Sequence, residues 1–293
     1  MNITAAFPSV AIPEKAVVLR SHFPPLYTSP TDLNCRIANF ILALDFLSNA
    51  PQIIGRFANE GKVLSNGTLY LVSTPIGNLE DITLRALRIL KESDLILAED
   101  TRTTGRLLAH FEIKNRMMSY HAHNETGRIP QVIGYMKDGQ QIALVTDAGT
   151  PGISDPGHRL VKAAIQSQIP IVPIPGATAL IPAITASGLP SQRFVFEGFL
   201  PRKKGRQTKL QQLAEEPGTI IIYESALRLE KTIRDIVKIM GNRYIVVSRE
   251  LTKKFEEFIR GSAEDVLGKM ESHTLKGEIV LLIAGTDFKP IEE

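Results

Sequence analysis

The sequence predicts a two-domain α/β protein with a mostly parallel N-terminal sheet, a mixed C-terminal sheet and a poorly ordered leader ahead of both. Three observations carry this. From Thr68 to Ile174 short apolar runs alternate with helical stretches, the pattern of βαβ units whose right-handed crossovers leave their strands parallel. Beyond Gly188-Leu189-Pro190 a second series of strands begins. Two of its members, Tyr244 to Arg249 and Phe255 to Arg260, are joined by too few residues for a helical crossover and must pair antiparallel. Residues 1–66, in contrast, are punctuated by Pro8, Pro13, Pro24, Pro25, Pro30 and Pro51, which leave little room for regular elements; only Asn34 to Ser48 has a helical pattern. The domains are therefore placed at 67–188 and 189–293, behind a leader of 1–66.

Element by element, Thr68 to Ser73 reads as a strand, Thr74 to Asp81 as a tight loop, and Ile82 to Lys91 as an amphipathic helix with Asp81 as candidate N-cap. Asp94 to Ala98 is a second strand, followed by a polar turn and a helix near Thr103 to His110. Met117 to Tyr120, Ile142 to Thr146 and Ile169 to Ile174 are further strands. Pro175-Gly176 ends the last of them before a small-residue helix, Ala177 to Ser187. In the second domain, strands at Phe194 to Phe199, Thr219 to Tyr223 and Glu278 to Ala284 alternate with helices near Gln207 to Leu213, Leu227 to Met240 and Ala263 to Met270. Ser262 and Asp265 have capping-box spacing for the last helix.

The densest turn chemistry follows Ile142 to Thr146. The run Asp147-Ala148-Gly149-Thr150-Pro151-Gly152-Ile153-Ser154-Asp155-Pro156-Gly157 leaves a continuous apolar strand of the kind buried on both faces of a parallel sheet. Ligands of open α/β sheets sit beyond such carboxyl ends, and glycines admit close backbone approach while Pro151 and Pro156 stiffen the loop.

Composition bounds the function loosely. A chain of 293 residues with 43% hydrophobic residues can bury a sizeable core, and a formal net charge of +3 neither demands nor forbids nucleic acid. The single cysteine, Cys35, excludes an intrachain disulfide and fits a reducing compartment. No apolar run reaches the roughly 18 residues of a membrane span, so a soluble cytoplasmic protein is expected. There is no G-x-G-x-x-G after the first strand and no P-loop, which leaves dinucleotide folds and P-loop nucleotide hydrolysis unsupported.

The Asp147 to Gly157 run resembles the signature of the ribosomal RNA small subunit methyltransferase I family, a branch of the tetrapyrrole-methylase-like, S-adenosylmethionine-dependent enzymes. Similar to that family, in order from Gly67 to Gly285, are Thr74-Pro-Ile-Gly-Asn-Leu-Glu-Asp-Ile-Thr83, Ala98-Glu-Asp-Thr-Arg102, Ser119-Tyr-His-Ala-His-Asn-Glu125, Phe196-Glu-Gly-Phe-Leu-Pro-Arg-Lys203, Tyr223-Glu-Ser225, Arg249-Glu-Leu-Thr-Lys253 and Lys276-Gly-Glu-Ile-Val280. The resemblance implies a tetrapyrrole-methylase-like fold, a homodimer, and 2′-O-methylation of a cytidine ribose in the decoding region of small-subunit rRNA, either naked or in the 30S subunit. It also implies S-adenosylmethionine folded into the cleft between the domains. There it would be held by Pro75, by Asp147, Ala148, Gly149, Thr150, Ile153 and Ser154, by Thr178, Ala179 and Leu180, and by Tyr223. Asp147 has an equal alternative as a carboxylate that caps its own turn.

A ribose hydroxyl is a poor nucleophile, so transfer needs in-line alignment and either a base or a cation beside the developing alkoxide. Glu99 and Asp100 at a strand's carboxyl end, Arg102 just after them, and His121 are the catalytic candidates; an internal ion pair holding the loop is the competing reading of each charged residue. His121-Ala122-His123 followed by Glu125 resembles metal-ligand spacing and would suggest a metal-dependent hydrolase, but a closed site needs three or four ligands and no second His cluster is present, so no metal is expected. Arg202, Lys203, Lys204, Arg206 and Lys209 are five cations without an acid between them, a phosphate-binding footprint or a solvated charge run. With the family resemblance, Arg202, Lys203, Lys204 and Arg206 become the candidate RNA contacts. A non-enzymatic rRNA-binding assembly factor would keep these cations and have no use for the Asp147 to Gly157 loop.

Overall fold

A computed structural model of the chain describes residues 66–271 and 276–289; the leader, and the question of its order, lies outside the described residues. The first half comprises β1 (Leu69–Val72), α1 (Leu84–Glu92), β2 (Leu95–Ala98), α2 (Thr101–His110), β3 (Met117–Ser119), α3 (Glu125–Lys137), β4 (Ile142–Val145), α4 (His158–Gln166) and β5 (Ile171–Ile174). Its strands make one parallel sheet in the order β3-β2-β4-β1-β5. All five end on the same edge, which sets their following loops side by side where such sheets bind ligands.

Every residue of β2 and β4 is buried, as continuous apolar runs require. Strand alternation divides their side chains between two cores. Leu95, Leu97, Ile142 and Leu144 meet Val132 and Met136 of α3 and Leu160 of α4. Ile96, Ala98, Ala143 and Val145 meet Ile89 and Leu90 of α1 and Leu108 of α2. At roughly 1.5–3 kcal/mol for each large apolar side chain buried, these layers hold the strands in register and so set where each loop emerges. The N-cap of α1 is Thr83 and not Asp81: the Thr83 hydroxyl accepts from the Ala86 amide at 3.1 Å, whereas Asp81 closes a short 3-10 turn capped by Asn78. Ile82 is extended, so the helix starts two residues too late for Asp81 to reach its first free amides.

The second half comprises α5 (Leu180–Ser187), β6 (Phe194–Phe199), α6 (Arg206–Ala214), β7 (Thr219–Ser225), α7 (Ala226–Met240), β8 (Tyr244–Arg249), β9 (Glu257–Ser262), α8 (Ala263–Glu271) and β10 (Glu278–Ile283). The sheet order is β6-β7-β10-β8-β9, parallel between β6 and β7 and antiparallel elsewhere, the mixed sheet expected. β9 begins at Glu257 rather than Phe255 because Glu250 and Thr252 take positive φ (50° and 66°) and a chain of turn hydrogen bonds runs on to Glu256. The Ser262 hydroxyl donates to Asp265 at 2.6 Å and accepts from its amide at 3.2 Å, capping α8.

α5 joins the halves. Although it follows the last parallel strand, it buries Leu180, Ala183 and Ile184 against Ile221, Val246, Val280 and Leu282 of the mixed sheet. The other face of that sheet is covered by α6, α7 and α8 through Leu210, Ile233 and Val266. Among the described residues no helix is long and apolar enough to cross a membrane.

Candidate active site

Three loops at the carboxyl edge of the parallel sheet are tied to one another. Thr74 and Gly149 exchange backbone hydrogen bonds of 2.9 and 3.0 Å, joining the loop after β1 to the loop after β4. The Thr74 hydroxyl donates to the Thr146 carbonyl at 3.1 Å. Thr150 lies with its hydroxyl 2.8 Å from that of Ser73 and donates to Ala177 at 3.1 Å, which brings in the loop after β5. Ser73, Thr74 and Thr146 are at most 3% exposed. A buried hydroxyl with its partner adds about 1 kcal/mol, and one left without costs more, so the set favours a single arrangement of the three loops.

The mixed sheet supplies the opposite wall. Ile76, Ile153 and Ala179 pack with Phe196 and Tyr223 against the α5 core. The Tyr223 ring meets Phe196 and Phe199 edge-on, at 4.9 and 5.7 Å. Burial pushes the Tyr223 phenol up, opposed by hydrogen bonding to Thr178 and the Leu180 backbone. Ser154, at φ 66°, aims its hydroxyl at Gly198, where β6 shifts register. A Cβ on Gly198 would lie 2.9 Å from the Ser154 oxygen, and its own φ is +68°, so both the approach and the backbone conformation call for glycine. Of the other expected cofactor residues, Pro75, Thr150, Thr178 and Ala179 are half-buried, Gly149 and Leu180 buried, and Asp147 and Ala148 exposed. All sit on these loops or this wall.

Carboxylates gather beside the tied loops. The Asp100 amide donates to Asp147 Oδ1 at 3.0 Å, and the Asp147 amide points to Glu99 Oε2 at 3.5 Å. Asp100 is also the N-cap of α2, accepting from the Arg102 amide at 2.8 Å, and its carboxylate pairs with the Arg102 guanidinium at 2.6 Å. The Arg102 contacts hold the Asp100 carboxyl down at about 2. This pair realises the internal ion-pair reading, and its exposure makes it a small contributor to stability. Burial pushes Glu99 up; the Asp147 charge adds to that, while the Asp147 amide and His121 oppose it.

Asp155 was not among the candidates that the sequence pattern singled out. Burial, then the charges of Glu99 and Asp147, push it up to about 7 against a hydrogen bond from Thr146. Its charge also acts to raise the Tyr223 phenol. The loop signature contained Asp155, but the effect on it of Glu99, which follows another strand, is a tertiary fact that spacing does not carry.

His121 follows β3, the neighbour of β2. Its amide donates to Asn124 Oδ1 at 2.9 Å, its Nε2 lies 3.2 Å from Asn124 Nδ2, and its buried Nδ1 has no hydrogen-bond partner. The His121 and His123 rings meet edge-on at 5.9 Å, and among the described residues no group of three His, Cys, Asp or Glu is placed to hold a metal.

The basic run divides. Arg202, Lys203 and Lys204 are exposed, but Arg206 is 7% exposed, pairs with Asp235 at 2.8 Å and donates to the Thr232 hydroxyl at 2.8 Å. Arg206 therefore anchors the loop and does not present a cation to a ligand. Lys209 is engaged as well, by Glu197 at 2.8 Å. The acids that neutralise both residues lie on other elements and were invisible within the run.

The model of the tetrapyrrole (corrin/porphyrin) methylases matches residues 68–267. A ribosomal RNA small subunit methyltransferase I from Halalkalibacterium halodurans is 50% identical over 224 residues, 76% of this chain and 78% of the relative. Its counterpart in Synechocystis is 53% identical over 221 residues, 75% of this chain and 79% of the relative. Among solved structures, the methyltransferase CobJ superposes with a TM-score of 0.57 at 18% identity, over 77% of this chain and 97% of that one. A uroporphyrin-III C-methyltransferase from Thermus thermophilus, complexed with S-adenosyl homocysteine, gives 0.53 at 18% identity over 74% and 97%. These structural likenesses speak for the fold alone, whereas half-identity across three quarters of the chain speaks for closer kinship. The chain belongs to the tetrapyrrole methylase family and, within it, to the ribosomal RNA small subunit methyltransferase I group.

Proposed function

We propose that the chain uses S-adenosylmethionine to 2′-O-methylate a cytidine ribose in the decoding region of 16S rRNA, acting in the cytoplasm as a homodimer. The observation that carries the chemistry is the tying of three post-strand loops into one surface beside Glu99, Asp147 and Asp155, facing Tyr223. The kinship with small-subunit rRNA methyltransferases supports the substrate.

The residues fit the cofactor. A Cβ built on Gly152 would meet nothing within 4 Å, so the loop backbone is open to a ligand, and Ile76, Ile153 and Ala179 offer apolar walls. The backbone of Asp147 to Thr150, Ile153 and Ser154, with Pro75, Thr178 to Leu180 and Tyr223, would hold it. Once bound, it supplies an activated methyl group on sulfur, the difficult part of the reaction. The protein must align the ribose hydroxyl and take its proton. Asp155, pushed up to about 7, is matched to a proton acceptor at neutral pH, with Glu99 as its neighbour in the cluster. Asp100 and Arg102 shape the α2 end of the cluster, and His121 offers a ring nitrogen that is not committed to the fold. Arg202, Lys203 and Lys204 position the RNA through its phosphates.

Calorimetry with S-adenosylmethionine, without added metal, should show one site per chain. Incubation with 30S subunits should then place a single methyl group on a ribose 2′-oxygen, located by mapping of the modified rRNA. RNA binding without cofactor binding would favour the assembly-factor reading, and a methyl group on a base would overturn the ribose assignment.

A further inference from the structure

On the α2 side of the parallel sheet a pocket of about 200 Å³ opens between the loop after β1 and the first turns of α2. Pro75, Leu79 and Leu107 form its apolar walls, and the exposed Asp147 also lines it. Thr104, only 3% exposed, also lines it, and its hydroxyl has no hydrogen-bond partner. Arg106 stands exposed at the rim with no ion pair among the described residues.

Pockets that enclose whole drug-sized ligands run to about 300–1,000 Å³, so this one is short of the cofactor and suited to a single heterocycle. We propose that it receives the nucleobase of the target nucleotide, turned out of its stack, with Arg106 on an adjoining phosphate. The inference rests on the RNA-methylation reading above. A nucleobase has apolar faces and a polar edge, and the pocket has apolar walls with a carboxylate and a hydroxyl in its lining. Asp147 already accepts one backbone amide, through Oδ1, and keeps its second oxygen for a donor. An exocyclic amine is such a donor; a carboxylate accepts from the N4 amine of cytosine and finds a carbonyl at that place in uracil. RNA bases are read in this way when splayed from single-stranded or loop segments, their faces against side chains and their edges hydrogen-bonded. Asp147 also belongs to the carboxylate cluster, through the Asp100 amide and Glu99, so a base seated here lies beside the proposed site of transfer.

The direct test is binding of cytidine 5′-monophosphate and uridine 5′-monophosphate to the full chain, followed by amide chemical shifts with neither cofactor nor turnover. Cytidine monophosphate should perturb Thr103 to Leu107 and bind more tightly than the uridine compound. Leu107→Trp, which fills the pocket, should abolish the perturbation and lower kcat/KM on 30S subunits by about 100-fold or more, with cofactor affinity kept. Arg106→Ala should raise KM by about tenfold and leave kcat in place. If Leu107→Trp disturbs the fold, Leu79→Trp fills the same space from an exposed loop position. Equal binding of the nucleotide to wild type and filled variant, or wild-type turnover in the filled variant, overturns the pocket. A chain that binds cytidine monophosphate here yet transfers no methyl group to RNA keeps the pocket and sinks the reading on which it was built.

Discussion

At the carboxyl ends of β1, β4 and β5, buried hydroxyls hold three loops to one another, whereas after β6 the cations Arg202, Lys203 and Lys204 stand in solvent. Only the base of that second loop is pinned, by Arg206 through Asp235 and Thr232. Methyl transfer needs reacting atoms held in line, and an arrangement ordered in advance spares the ordering cost at the moment of reaction. On the RNA-binding reading proposed above, phosphates ask only for charge within reach, which exposed side chains are placed to supply.

The contrast can be broken most severely at the carboxylates. Glu99→Gln and Asp155→Asn, made singly, should include at least one variant whose turnover falls by about two orders of magnitude with cofactor affinity kept, as expected when an acid–base group is removed. Near-normal turnover in both would move the chemistry away from the tied loops.

Next in size is Arg206→Ala. Removing a buried, paired guanidinium leaves Asp235 and the Thr232 hydroxyl without it, at a cost of about 2–3 kcal/mol, reduced from the fully buried case because Asp235 is partly exposed. Chemical denaturation would read this as a lower midpoint, while Arg202→Ala in the same run should leave the midpoint where it was. A wild-type midpoint for Arg206→Ala would return that residue to the RNA-binding set.

Gly149→Val forces a branched residue to φ +90°, with its Cβ 3.5 Å from Ile76. The strain, of order 1–3 kcal/mol, should appear as a cofactor affinity lower by about tenfold in a chain that still folds. Calorimetry showing unchanged affinity would detach this loop from the cofactor.

Replacing Arg202, Lys203 and Lys204 together by Ala should flatten the logarithmic salt dependence of RNA binding by roughly 0.7–0.9 for each phosphate that is no longer neutralised. Cofactor binding and the nucleotide methylated should not change. An unaltered slope would make the three cations a solvated face.

The last effect is on stability against pH. Asp155, raised to about 7 in the folded chain from roughly 3.9 when unfolded, binds its proton more tightly in the native state. Its contribution to stability is therefore full below about pH 4 and is lost as pH rises to about 7, beyond which it is level. Denaturation midpoints across that window should fall less steeply in Asp155→Asn. Parallel curves for the two proteins would place the proton elsewhere.

What local pattern could supply, it supplied well. The apolar runs of β2 and β4, the turn chemistry after β4 and the short hairpin between β8 and β9 are properties of contiguous residues, and they announce a parallel sheet, a long turn-rich loop at its carboxyl edge and a mixed sheet. Capping and boundaries were less legible, since Asp81 and Thr83 are both good caps and only the extended Ile82 between them decides which one meets the helix.

Tertiary structure alone decided partnership. Within the sequence Arg206 is one cation among five; Asp235, on a helix that comes later, makes it an anchor. Asp155 is a turn residue until burial, and then the charges of Glu99 after β2 and of Asp147 in its own loop, raise its carboxyl. α5 follows the last parallel strand yet buries its apolar face on the mixed sheet. The physical reason is common to all three. Secondary structure follows from periodicity and turn propensity among near neighbours, but burial and electrostatic environment depend on residues tens of positions away, which are brought together only when the sheets are packed.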